Sequence, residues 1–127
     1  NDMAHAVLRG SVDKHGNNHT NYHYEDLIEL YDAYCNGGYQ NPAVIVDTNH
    51  ANSGKKYLEQ IRIANEVLHA MRHSDNIKSM VKGLMIESYI EDGCQKLEEG
   101  TYGKSITDPC LGWEKTKELI LGIARQL

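Results

Sequence analysis

Short apolar runs alternate along this chain with longer stretches in which apolar residues recur three and four positions apart. His5-Ala6-Val7-Leu8, Ala43-Val44-Ile45-Val46 and Gly83-Leu84-Met85-Ile86 are runs without polar alternation. That is the pattern of strands buried on both faces, as in a parallel sheet. Polar residues follow each run, and the run centres lie roughly 40 residues apart, a spacing that suits βα repeats. Between the first two, Leu27, Ile28, Tyr31, Tyr34 and Cys35 share one face of a helix over Tyr24 to Cys35. Gly37-Gly38 then supplies a left-handed stop. From about Lys55 to Arg72 the set Leu58, Ile61, Ala64, Leu68 and Met71 repeats the helical spacing, with Ser53 a candidate N-cap. Trp113, Thr116, Ile120, Ile123, Ala124 and Leu127 mark a last amphipathic helix. The predicted order is β-α-β-α-β-loop-α, an α/β fold in one domain over residues 1–127.

Asn41-Pro42 suits the entry to the second strand, because proline lacks the N–H that an interior rung requires. The longest loops, Gly10 to Asn21 and Glu91 to Gly112, both follow strands. In α/β proteins such loops build the site. Three strands are too few for a closed barrel of eight or a doubly wound sheet, so the chain reads as a piece of a larger fold. It opens on Asn1-Asp2-Met3 directly before an apolar strand, leaving that strand an unpaired edge. Such an edge invites self-association, and a homo-oligomer is expected.

Charge narrows the range of partners. The 18 acidic residues outnumber the 13 Lys and Arg, and the basic residues are scattered. Nothing here attracts a nucleic-acid backbone. No apolar run approaches a membrane span and no signal-peptide pattern opens the chain, so the expectation is a soluble cytoplasmic protein. Cys35, Cys94 and Cys110 are odd in number and lack CxxC spacing. They are read as reduced, mostly buried thiols. Met71, Met80 and Met85 are read as packing residues.

The polar residues just beyond the strands are Arg9, then Asp47 with His50, then Glu87. All would stand on one rim. Imidazole and carboxylate from adjacent strand ends can share a divalent ion, with Asp108 on the last loop as a third ligand; that donor set suits Mn, Fe, Co or Zn. Each residue also has an ordinary alternative. A carboxylate at a strand end caps a helix or pairs with lysine, and Arg9 could form a surface salt bridge instead of gripping a phosphate or carboxylate. Tyr102-Gly103-Lys104-Ser105 lacks the leading glycine of a phosphate loop, Glu98 standing in its place. His69 and His73 lie four apart on a helix, but Ala70 replaces the glutamate of a zinc-protease motif. They are read as solvated, as are His15, His19 and His23.

Five strings, in order and covering nearly all the chain, resemble the metal-dependent type I 3-deoxy-D-arabino-heptulosonate 7-phosphate (DAHP) synthases. They are Leu8-Arg9-Gly10, Asn21-Tyr22, Asp47-Thr48-Asn49-His50-Ala51-Asn52-Ser53, Met85-Ile86-Glu87-Ser88, and Gly103-Lys104-Ser105-Ile106-Thr107-Asp108-Pro109-Cys110-Leu111-Gly112-Trp113. The resemblance implies the last three βα units of a (β/α)8 barrel. The whole barrel would condense phosphoenolpyruvate with erythrose 4-phosphate and release phosphate, the first step of the shikimate route. It further implies His50, Glu87 and Asp108 as ligands of a divalent metal, Arg9 as a contact of the phosphoenolpyruvate phosphate, and a catalytic role for Asp47 beside His50.

The departures matter as well. The family's fourth ligand, a cysteine, and its lysine- and arginine-bearing substrate segment belong to the N-terminal side of the barrel, and Cys35, Cys94 and Cys110 do not replace that cysteine. Ser11 stands where many relatives carry a second glycine, and Thr48-Asn49 where others carry Phe-Ser. The chain alone is therefore expected to be inactive and to hold metal weakly or not at all, with the N-terminal part of the barrel as its natural partner. Two competing readings are an interaction or regulatory module that kept the fold without the chemistry, and a small metal-dependent aldolase or isomerase assembled from several copies.

Overall fold

The computed structural model describes residues 1 and 3–127; Asp2 lies outside the described residues. Three parallel strands form the centre: β1 (Ala6–Leu8), β4 (Val44–Asp47) and β5 (Val81–Met85), in the order β1-β4-β5. The register sets Ala6 beside Val44 and Leu8 beside Val46, and Asp47 beside Met85. Between β1 and β4 lies helix α1 (Tyr24–Asn36), and between β4 and β5 lie α2 (His50–Ser53), α3 (Glu59–His73) and α4 (Asp75–Met80). Helix α5 (Trp113–Ala124) follows the long loop after β5. This is an α/β arrangement with a partial parallel sheet, consistent with part of a larger barrel; no closed barrel is present among the described residues.

The three strands fall where the apolar runs stand, shifted by one or two residues. Their burial differs from the expectation. Only β4 is covered on both faces; Val7 of β1 and Met85 of β5 are each 41% exposed. The cause is position: β1 and β5 are the two edges of the sheet, and among the described residues no further strand pairs with either. An apolar groove of about 690 Å³ runs between β1 and α1, past Ala6, Leu30, Tyr34 and Tyr39. A smaller one of about 310 Å³ lies at the opposite edge, past Leu68, Leu84, Ile123 and Leu127.

The main core joins Leu27 of α1, Val44 and Val46 of β4, Ile63 and Val67 of α3, and Ile77 and Met80 of α4. A second cluster, Ala64, Leu111 and Leu119, holds α5 against α3. The buried face of α3 carries Gln60, Ile63, Ala64, Val67, Leu68 and Ala70, whereas the predicted stripe included Leu58, which is exposed. In α5 the buried positions are Thr116 and Leu119; Trp113 and Ile120 are exposed, and Leu127, predicted on the same face, lies exposed beyond the end of the helix. An apolar spacing marks which helix face is greasy, but the surface presented to that face decides which of its residues are covered.

Four local features depart from the sequence reading. Ser53 does not cap the long helix: Gly54 and Lys55 both take left-handed φ, at +60° and +61°, which ends α2 at Ser53 and delays α3 to Glu59. The Gly10–Asn21 segment is no plain loop, since β2 (Ser11–Val12) and β3 (Asn18–His19) pair antiparallel. Asp13 shapes their turn by accepting from His15 N at 2.8 Å and Asn17 N at 2.9 Å. His23 is not loose either, for its ring stands 2.5 Å from Glu66 and its N–H donates to Asp26 at the start of α1. Cys35 and Cys94 are exposed and Cys110 partly buried, so the thiols are not mostly buried. Helix α4 escaped the periodicity because six residues are too few to show one; Ser74 caps it through Ile77 N. Among the described residues no helix is long and apolar enough to cross a membrane.

Candidate metal centre

Four of the predicted site residues fall at or just beyond the C-terminal ends of the strands. Arg9 follows β1, Asp47 closes β4, His50 opens α2, and Glu87 stands two residues past β5. The long last loop brings Asp108 to the same rim. That loop is pinned rather than free: Leu111 N donates to Glu87 O at 3.0 Å, and Tyr89 N to Leu111 O at 2.9 Å. Gly93 and Cys110 exchange backbone bonds at 2.8 and 3.1 Å. Together these tie the strand carrying Glu87 to the segment carrying Asp108.

One ligand atom from each of His50, Glu87 and Asp108 lies within 4.8 Å of the other two. His50 Nε2 stands 3.1 Å from Glu87 Oε1 and 3.4 Å from Asp108 Oδ2. The other ring nitrogen, Nδ1, lies 2.7 Å from Oδ2 of the fully buried Asp47. A carboxylate on Nδ1 sets the tautomer that leaves the Nε2 lone pair pointing at the two other carboxylates, the arrangement found behind metal-bound histidines. His50 itself takes a left-handed φ of +47°, rare for a residue with a side chain. Asp47 Oδ1 also accepts from Asn49 N at 2.9 Å. Asp47 thus holds the turn into α2 with one oxygen and the His50 ring with the other; it neither caps α2, whose N-cap is Asn49 with no side-chain cap bond, nor, among the described residues, pairs with a lysine.

Each carboxylate keeps one oxygen for the centre and ties the other down. Glu87 Oε2 accepts from Asn49 Nδ2 at 2.8 Å. Asp108 Oδ1 accepts from Lys55 Nζ at 2.7 Å. That lysine hydrogen bond is the main reason the Asp108 carboxyl is held below the usual carboxylate range, and it raises the Lys55 ammonium in return. The donor set, one imidazole nitrogen with two carboxylate oxygens, fits a divalent transition ion or zinc.

Arg9 is exposed and, among the described residues, forms no salt bridge; the surface-pair alternative is not realised. It lines a polar cleft of about 480 Å³ with Asn18, His50, Lys55 and Asp108. Two cations on one wall of a cleft suit a bound anion. A chain of amides couples the Arg9 side of the cleft to the main chain of Asp47. Asn52 Nδ2 donates to Leu8 O at 3.1 Å and to Asp47 O at 2.9 Å, bridging the ends of β1 and β4. Its Oδ1 accepts from Asn21 N at 2.9 Å, and Asn21 Oδ1 accepts from Gly10 N at 2.8 Å.

Sequence reasoning missed the supporting residues Asn49, Asn52, Lys55 and Gln60. A signal for two of them existed. Gln60 sits on the same helix face as Ala64 and Val67, and a polar residue on a buried stripe calls for partners. Asn52 lies inside the Asp47–Ser53 string, six of whose seven residues are polar directly after a buried strand, and Asp47, Thr48, Asn49, Asn52 and Ser53 are all buried.

A parallel sheet that gathers a histidine and two carboxylates at its C-terminal rim, beside an arginine-lined cleft, defines the class: an α/β segment with a candidate metal centre. Comparison with known proteins gives the family. The DAHP synthetase I family model matches residues 4–120, and the chain belongs to that family. It is 33% identical over 128 residues to the Trp-sensitive phospho-2-dehydro-3-deoxyheptonate aldolase of Escherichia coli O6:H1, covering 98% of this chain and 34% of that protein. It is 36% identical to the phospho-2-dehydro-3-deoxyheptonate aldolase of Haemophilus influenzae, covering 94% and 32%. Among solved structures, the phospho-2-dehydro-3-deoxyheptonate aldolase of Francisella tularensis superposes with a TM-score of 0.84 at 27% identity, covering 99% of this chain and 35% of that one. The chain thus spans about a third of the length of the curated relatives it matches.

Proposed function

We propose that this chain is the metal-bearing C-terminal segment of a DAHP synthase. In the whole protein it would serve the condensation of phosphoenolpyruvate with erythrose 4-phosphate to DAHP and phosphate. The observation that carries this reading is the meeting of His50, Glu87 and Asp108 within 4.8 Å beside the cleft lined by Arg9 and Lys55.

His50 Nε2, Glu87 Oε1 and Asp108 Oδ2 are the atoms that would hold a divalent ion, whose chemistry when bound is polarisation of a carbonyl oxygen. The chain's own residues have separate tasks. Asp47 holds the His50 ring with Nε2 free. Asn49 and Lys55 occupy the second oxygens of Glu87 and Asp108, so that each carboxylate faces the centre through one oxygen. Arg9, with a planar fork of donors, binds the phosphate of phosphoenolpyruvate, and its charge with that of Lys55 offsets the repulsion between two anionic substrates. Both edges of the sheet remain open in this segment, and the other two-thirds of a family barrel would cover them. Without it the chain is inactive and its metal affinity is low, because ligands keep their geometry only inside a packed shell.

The test is phosphate release from phosphoenolpyruvate with erythrose 4-phosphate and Mn²⁺. It compares the full product of the gene, its His50→Ala variant and residues 1–127 alone. Turnover by the full product, abolished by His50→Ala and absent from the isolated chain, is the expected result. A full product that releases no phosphate would overturn the proposal and favour an interaction module built on the same fold.

A further inference from the structure

Glu87 stands where its strand has lost its neighbour. The last ladder bond between β4 and β5 runs from Thr48 N to Met85 O at 2.9 Å; beyond it the chain after β4 turns into α2. The main chain of Glu87 would be left short of a partner on that side. Gln60, fully buried on the first turn of α3, fills the place. Glu87 N donates to Gln60 Oε1 at 2.8 Å, and Gln60 Nε2 donates to Glu87 O at 3.0 Å. A carboxamide offers the same donor and acceptor as a peptide, so Gln60 adds one side-chain rung to the sheet. The hydroxyl of Thr48, 2.9 Å from Met85 O and 3.1 Å from Gln60 Oε1, steadies that rung. Leu111 N holds Glu87 O from the other side at 3.0 Å.

We infer that Gln60 is a positioning residue for the Glu87 carboxylate: its paired bonds clamp the Glu87 main chain to α3 and so set where Oε1 stands relative to His50 Nε2. The inference rests on reading His50, Glu87 and Asp108 as a metal centre. Among the described residues Gln60 forms no hydrogen bond to His50 or Asp108; of the three ligands it touches only Glu87, and its other side-chain partner is Thr48, the brace of the same rung. An apolar side chain of equal length would fill the same volume, yet it would free the Glu87 N–H and C=O to seek other partners. Ligand geometry tolerates displacements of only about 0.5 Å, and loss of a supporting hydrogen bond behind a metal ligand typically weakens binding about 10–100-fold.

The experiment uses the full product of the gene and Mn²⁺ as the probe, following free and bound ion by electron paramagnetic resonance and recording thermal unfolding of the same samples. Gln60→Met removes the rung, Thr48→Val removes only its brace, and Ile77→Ala loosens the core at α4, away from the site. The expected result is Mn²⁺ affinity lowered about 10–100-fold in Gln60→Met, with an altered bound-ion spectrum, and a smaller loss in Thr48→Val. Ile77→Ala should bind as wild type despite a lower Tm. Wild-type affinity in Gln60→Met, or equal loss in Ile77→Ala, would overturn the positioning role while leaving the metal centre intact. If Gln60→Met fails to fold, Thr48→Val decides: unchanged affinity there rejects the role. Failure of the wild type to bind Mn²⁺, or undiminished binding by His50→Ala, would remove the metal centre and the positioning role together.

Discussion

Asp47 Oδ2 lies 2.7 Å from His50 Nδ1, and the carboxylate is fully buried while the imidazole is partly open to the cleft. A buried carboxylate behind a histidine fixes both the ring plane and the tautomer. Asp47→Asn retains the shape but presents an amide that can donate as well as accept. We expect it to lower divalent-metal affinity about 10–100-fold with an unchanged far-ultraviolet circular dichroism spectrum. Mn²⁺ titration checks this, and wild-type affinity would show that Asp47 acts only as a turn cap.

Gly10 connects Arg9 to the hairpin with φ +72°, and a Cβ there would stand 2.7 Å from His19 O and 2.9 Å from Ala51 Cβ. Gly10→Ala meets backbone strain and a clash together. A stability loss of about 2–3 kcal/mol is expected, measured by urea denaturation. On the proposed function, KM for phosphoenolpyruvate in the full product should also rise, because Gly10 must move away from His19 and Ala51 beside Arg9.

Asp92 joins the last loop to α5: its Oδ1 accepts from Gly112 N at 2.7 Å and its Oδ2 pairs with Lys115. The lysine first, then the Gly112 amide, hold its carboxyl below the usual range. A depressed folded value means that the stabilisation is present above the unfolded value of about 4 and fades as pH falls through the lower folded value. Asp92→Asn should therefore be less stable than wild type at neutral pH, with the gap closing in acid. A Tm difference that stays constant down to the lowest pH of the folded state would contradict this assignment.

Ile63 and Val67 are fully buried between α3 and the sheet. Ile63→Ala should cost about 2–5 kcal/mol, read as a lower urea midpoint at an unchanged slope. A loss below about 1 kcal/mol would mean that α3 is not seated as described.

Both edges of the three-stranded sheet are open, and Val7 on β1 is 41% exposed. Residues 1–127 in isolation should therefore form dimers or larger species. Val7→Lys on the β1 edge should shift them towards monomer. Light scattering at micromolar concentration is the check, and a clean wild-type monomer would refute the prediction.

Local pattern alone determined a good deal of this protein. Unbroken apolar runs locate β1, β4 and β5, the pattern of strands meant to be covered on both faces, although only β4 is so covered here. The apolar spacing of α1, α3 and α5 marks one greasy face on each helix. Reading polar residues directly after strands nominated Arg9, Asp47, His50 and Glu87, since the chain direction of a parallel sheet places those ends on one rim. Asp108 required the loop as well as the sheet. Tertiary structure alone decided the rest. Separation in sequence hides Gln60 from Glu87 and Asn52 from Leu8, which meet only after α3 and α2 pack on the strands. The short α4 and the β2–β3 hairpin have too few residues to carry a period. Which apolar residues stay exposed depended on β1 and β5 lying at the edges, a property of how strands are assembled and not of the strands themselves.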